Sequence, residues 1–303
     1  MQPLTVTEAS ERILSGTIAP TDLVETCLDR IAAVDGRIHS YIHVDAEGAR
    51  TAARAAKAEI DSGNWRGPLH GVPFAVKDNY DAANMPATAN SKTRLGNVPR
   101  QDCELVRRLK AAGAILMGKL ATWEYGTGNG GEYGDLPFPT ARNPWDTERF
   151  PGGSSTGAGV AVAAGTALFA MGSDTTGSVR LPAAATGTVG IIPTPGRLSL
   201  DGILPNCWSL DNPGPFAWTI ADSATVLEVI SDRTPWDRPG PVTFRRAVGK
   251  AAGGMRVGVV TDVGPGMPEP DNELAAAFEA GLDVLRSLGV ELVETRLPVA
   301  PAT

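Results

Sequence analysis

Residues 71–81 read GVPFAVKDNYD, and their reading decides the fold. Val72, Phe74, Ala75 and Val76 form a short apolar run flanked by turn residues, the pattern of a buried strand. Residues 102–113, DCELVRRLKAAG, follow as a helix, and 114–119, AILMGK, as a second strand. The order strand, helix, strand points to a parallel or mixed sheet covered by helices. Near the C-terminus the pattern returns: GMRVGVVTDVG (254–264) is strand-like, 271–289 is an amphipathic helix, and VELVETRLP (290–298) is another strand.

Upstream, three helices open the chain. Residues 5–16 carry the capping-box pair Thr5 and Glu8. Residues 19–36 place Val24, Cys27, Leu28 and Ile31 on one face and end at Gly36. Residues 45–63 are alanine-rich with a polar face. With no internal repeat and no clear linker, the chain reads as one structural domain: a helical layer over 1–62 and an α/β core over 63–303. Glycine and proline cluster between 126 and 215, where loops are expected.

Composition sets limits. The 303 residues are 42% hydrophobic, enough for a sizeable core, and the net charge of −7 argues against nucleic acid as a partner. Cys27, Cys103 and Cys207 are too few and too far apart for a disulfide framework or a metal site, and suit a reducing cytoplasm. No signal peptide, membrane span, metal or cofactor is expected.

Three pattern matches fail on context. GAILMGKL (113–120) approaches a phosphate loop, but its interior is an apolar strand and Leu120 stands where a hydroxyl is needed. GTGNGG (126–131) fits a dinucleotide fingerprint but is followed by proline and turn residues instead of a helix. GSSTG (153–157) fits a nucleophile elbow around Ser155, yet no strand precedes it. The elbow's usual order also puts histidine last, whereas His39, His43 and His70 all lie upstream and read as ordinary loop or surface residues.

Two serine-bearing loops remain, PGGSSTG (151–157) and GSDTTGSVRLPAA (172–184). With histidine set aside, lysine is the remaining common base for a serine nucleophile. Lys77 closes the apolar run, where burial favours a neutral, proton-accepting amine. A lysine at a strand end also commonly extends to water, and the residues alone leave both readings open.

The blocks GVPFAVKDN around Lys77, ARNPWDTERFPGGSSTG around Ser154, GSDTTGSVRLPAAATGTVGIIPTPGRLS around Ser178, and LPNCWSLDNPGPFAWTIAD (204–222) together resemble the amidase signature family over most of 65–225. The resemblance implies an α/β fold with a mixed, largely parallel twisted sheet covered by helices on both faces. It implies a Ser-Ser-Lys triad. Carried over by motif, Ser178 would be the nucleophile, Ser154 the bridging serine behind a cis peptide, and Lys77 the base, with the two serine hydroxyls in hydrogen-bond reach. The backbone N–H groups of Thr175, Thr176, Gly177 and Ser178 would form the oxyanion hole, and Asp174 and Arg180 an ion pair bracing that loop. Ser155 would be structural.

Two positions depart from the family pattern: Thr176 and Thr156 stand where glycines are usual, and a β-branched residue would be strained wherever positive φ is required. Family members also normally continue past the point where this chain stops, so a truncated member with an exposed edge or apolar patch is expected. The implied function is hydrolysis of a small-molecule amide through an acyl-enzyme. The alternatives are an amidotransferase A-type subunit needing a partner and an inactive remnant that only binds; a homo-oligomer or partner subunit fits any of them.

Overall fold

The computed structural model describes residues 4–127, 135–232, 242–261 and 270–296. The chain forms two compact units, 1–248 and 249–303.

In the first unit, α1 (Val6–Leu14) starts at the expected capping box, with the Thr5 hydroxyl accepting the Glu8 N–H at 3.1 Å. Helix α2 (Pro20–Ile38) runs past Gly36. His39 closes it in the left-handed region at φ 49°, while the Asp35 carboxylate takes the Ser40 N–H at 2.7 Å. β1 (Tyr41–Val44), four residues long, is too short to show a period and was not expected. α3 (Ala46–Asp61) buries Ala49, Ala53 and Ala56. β2 (Pro73–Lys77), α4 (Glu104–Ala111) and β3 (Ile115–Leu120) follow as the sequence indicates.

The glycine- and proline-rich stretch holds more structure than its composition suggests: α5 (Thr156–Ala163), β4 (Phe169–Asp174), α6 (Arg180–Thr186), β5 (Val189–Gly190) and β6 (Asn212–Ala217), then α7 (Ile220–Ile230). β6 tolerates Pro213 and Pro215 because they alternate, so both missing N–H groups point away from β4, its main partner.

The sheet order is β1-β3-β2-β4-β6-β5. β3, β2 and β4 run parallel, β1 and β6 run against them, and β5 reverses again to share the direction of the central three. Every residue of β2, β3, β4 and β6 is buried. Successive side chains point to opposite faces, so both faces must be covered, as in α/β sheets. Phe74 and Phe169 stack at 5.2 Å across β2 and β4 at the centre of the core.

In the second unit, β7 (Arg256–Val260) and β8 (Glu291–Thr295) pair in parallel, with α8 (Asn272–Ser287) between them in sequence. Residues 262–264 and 297–298 of the two strand segments lie outside the described residues. Leu274, Phe278 and Val284 of α8, and Leu288 just after it, are exposed.

Candidate active site

The site forms at the C-terminal ends of β2 and β4, where open α/β sheets bind ligands. The two strands are paired in parallel, Val76 opposite Met171, so Lys77 at the end of β2 comes beside Ser173 and Asp174 at the end of β4. The loop before α5 brings Ser154. α5 approaches so closely that a Cβ on Gly157 would sit 2.3 Å from the Ser40 carbonyl oxygen and 2.5 Å from the Ala121 nitrogen, which only glycine permits.

Lys77 is 1% exposed. Its Nζ donates to Ser154 Oγ at 2.9 Å and to Ser173 Oγ at 2.9 Å, with the Ser173 carbonyl oxygen at 3.5 Å. Burial pushes the amine down to about 7, against the opposing pull of the Asp211 and Asp174 carboxylates. The strand-end lysine therefore does not reach water: the sheet desolvates it and two hydroxyls hold it. The Gly153–Ser154 peptide is cis.

Ser178 is buried, and its carbonyl oxygen accepts the Ser155 N–H at 3.3 Å. Its hydroxyl makes no hydrogen bond among the described residues, so the expected Ser154–Ser178 hydroxyl bond is not formed here. Such contacts often tighten only around substrate. Ser155 is fully buried, donates to the Ser173 carbonyl at 3.1 Å and accepts the Ser173 N–H at 3.3 Å. That is a bracing arrangement, and the segment 135–154 leading into it holds no strand.

The loop that carries Ser178 turns on Asp174. Its carboxylate accepts both Arg180 Nε and Nη2 at 3.0 Å, the Gly177 N–H at 2.7 Å and the Val179 N–H at 3.1 Å. Burial pushes this carboxyl up, but the Arg180 fork and the backbone donors outweigh it and hold the group below the usual carboxylate range. Gly177 adopts φ +131°, whereas Thr176 is not among the positive-φ residues, so its branched side chain carries no such strain. Thr156 opens α5 with its hydroxyl on the Ala121 carbonyl at 3.2 Å. Of the four backbone donors singled out, Gly177 is spent on Asp174. Those of Thr175, Thr176 and Ser178 have no acceptor among the described residues.

None of the histidines hydrogen-bonds to the serine loops among the described residues. His43 lies in β1. His70 lies in a turn, within the loop-or-surface reading, but is buried, with Nδ1 accepting the Arg66 N–H at 3.1 Å and Nε2 3.2 Å from Glu59. Residues 128–131 of GTGNGG lie outside the described residues.

Several residues escaped the sequence reading. Ser173, inside the second serine loop, is the other hydroxyl on Lys77, and Asn79 Nδ2 donates to it at 3.1 Å. Lys119, in the rejected phosphate-loop match, is fully buried 3.1 Å from Asp78 and donates to the carbonyls of Tyr80 at 2.6 Å and Pro86 at 2.9 Å. Asp78 in turn takes the Thr88 N–H at 3.0 Å and the Thr88 hydroxyl at 2.5 Å. This network ties the residue after Lys77 to β3 and to the loop beyond. A lysine inside an apolar strand was the available signal, because a buried cation requires a partner.

Residues 22–302 match the family model described as Amidase. The A-type subunit of glutamyl-tRNA(Gln) amidotransferase from Salinispora arenicola is 42% identical over 303 residues, spanning 97% of this chain and 61% of that protein. The Moorella thermoacetica protein of the same name is 43% identical over 301 residues, with shares of 97% and 61%. Among solved structures, the peptide amidase of Stenotrophomonas maltophilia superposes with a TM-score of 0.85 at 34% identity, over 97% of this chain and 62% of that one. A 6-aminohexanoate cyclic dimer hydrolase gives 0.86 at 31%, over 96% and 60%. The chain thus spans about three-fifths of the length of these relatives. It belongs to the amidase family.

Proposed function

We propose that this chain carries the catalytic centre of an amide-bond hydrolase, with Ser178 as nucleophile, Ser154 as proton bridge and Lys77 as base. The observation that carries the reading is the buried Lys77 amine, pushed down to about 7 and 2.9 Å from Ser154 Oγ. In the reaction, Ser178 Oγ bonds to the amide carbonyl carbon. Its proton passes to Ser154 Oγ as the Ser154 proton passes to Lys77 Nζ. The oxyanion meets the free N–H groups of Thr175, Thr176 and Ser178. Collapse breaks the C–N bond, and the proton returns through Ser154 to the leaving amine. Water then attacks the acyl ester and releases Ser178. Asp174 and Arg180 brace the donor loop.

A second reading, an amidotransferase component in which an amine intercepts the acyl-enzyme, is supported by the two amidotransferase relatives. It would require a partner subunit, and the exposed apolar side chains of α8 are compatible with association. We place the protein in the cytoplasm on the ground that its three cysteines are free, as suits a reducing compartment. No helix among the described residues is long and apolar enough to cross a membrane.

A fluorophosphonate probe tests the nucleophile. Wild type should be labelled at Ser178 and Ser178→Ala should not. Lys77→Ala should lose labelling by orders of magnitude, and Lys77→Arg should not restore it, because guanidinium stays protonated. An active arginine variant would exclude lysine as the base. Turnover on a panel of small amides, with and without ammonia, then separates hydrolysis from transfer. No labelling and no turnover would leave the inactive remnant.

A further inference from the structure

Asp211 has no part in the steps above, yet it lines the same narrow cleft as Lys77, Ser154, Ser173 and Thr175. It stands one residue before β6, and Thr175 one residue after β4. Because Asp174 pairs with Asn212, the two side chains meet. Asp211 Oδ1 accepts the Thr175 hydroxyl at 2.5 Å, and Oδ2 accepts the N–H groups of Asn206 at 2.7 Å and Cys207 at 3.0 Å. The Asn206 side chain reaches across to the Gly126 carbonyl oxygen at 3.1 Å, joining the opposite wall.

We propose that Asp211 is a positioning residue that anchors the Thr175 end of the donor loop and sets the charge balance of Lys77 across the cleft. The proposal rests on Lys77 being the base. Several groups surround Lys77. Asp174 from β4 shares its charge with Arg180, and Asp78 at the end of β2 shares its with Lys119. The Tyr80 hydroxyl is held by the Gly172 carbonyl, and Tyr125 across the cleft is bound to Thr93. Asp211 alone of the three carboxylates has no ion-pair partner among the described residues. Its field favours the ammonium and opposes burial, the larger influence. Removing its charge should therefore lower the point at which Lys77 loses its proton, while removing only the Thr175 hydroxyl should not.

The test is titration of ε-13C-lysine by NMR in the full chain. The chain has six lysines, and the Lys77 signal is identified by its loss in Lys77→Met. Asp211→Asn should lower the Lys77 midpoint by roughly half a pH unit or more, and the acid limb of fluorophosphonate labelling should move with it. Asp211→Glu, which keeps the charge, should stay near wild type. Thr175→Val should keep the midpoint but label about tenfold more slowly, through the loosened donor loop. An Asp211→Asn midpoint equal to wild type, with Lys77 still titrating near neutrality, overturns the proposal and leaves the base assignment intact. A wild-type Lys77 that titrates like a free lysine overturns both.

Discussion

Replacing Lys77 by methionine should destroy activity and, at the same time, stabilise the protein. The folded state holds an amine pushed down from 10.5 to about 7 by burial. At about 1.36 kcal/mol per pH unit, keeping it protonated below pH 7 costs the fold about 5 kcal/mol. Methionine removes that cost but strips the Ser154 and Ser173 hydroxyls of a partner, a loss of about 1–3 kcal/mol. Lys77→Met should then be more stable than wild type by about 2–4 kcal/mol at pH 6. The sign of the pH dependence follows from linkage. Between about 7 and 10.5 the unfolded chain binds a proton that the folded protein has released, so wild-type stability rises with pH across that window. The advantage of the variant should shrink accordingly and reverse at about pH 8–10, by the same arithmetic. Urea unfolding followed by tryptophan fluorescence at pH 6, 7.5 and 9 measures it through the midpoint and slope. A variant less stable than wild type at pH 6, or a difference that ignores pH, would refute the claim that burial sets the state of this amine.

Three further outcomes follow from the same contacts. Ser155→Ala deletes a hydroxyl bonded to both the carbonyl and the N–H of Ser173; it should cost about 1–2 kcal/mol of stability yet keep fluorophosphonate labelling of Ser178, and abolished labelling in a folded variant would give Ser155 a larger role. Lys119→Met leaves Asp78 buried without its cation and should cost about 3–5 kcal/mol, with part recovered on adding Asp78→Asn; thermal melts that show no recovery would count against a coupled pair. Arg180→Met weakens the fork that holds the Asp174 carboxyl low. A carboxyl held low contributes stability above its unfolded pKa that is lost as pH falls through the folded one, so the acid-unfolding midpoint of the variant should move to higher pH; an unmoved midpoint would mean the backbone donors suffice without Arg180.

The sequence made the central strands and the capped helices legible because their periods and caps are local. β2 stood out as an apolar run between turns, and α1 by its Thr5–Glu8 box. β4 and β6 were hidden, since FAMGSD and NPGPFA carry glycine and proline that read as loop until the alternation of Pro213 and Pro215 against β4 is seen. The candidate site was legible through its motifs, which point to Lys77, Ser154 and Ser178, but motifs do not state depth. Only the packing reveals that Lys77 is shared between two hydroxyls, that the Gly177 N–H belongs to Asp174, and that Lys119 is an ion-pair partner within a strand. Asp211 was invisible for another reason: its meaning depends on Thr175, a neighbour made only by the pairing of β4 with β6.

The parallel pairing of β2 with β4 also governs when activity can arise during folding. Phe74 and Phe169 are far apart along the chain, and their strands cannot meet through a short hairpin. Closing so long a loop is slow compared with winding the turns of α1–α3, whose backbone hydrogen bonds span only four residues. The Lys77 amine is desolvated only once that seam has closed and Ser154 has been carried over it by α5. If Ser178 is the nucleophile proposed above, probe reactivity there should therefore emerge late in refolding, after helical circular dichroism is complete, and would report a finished core.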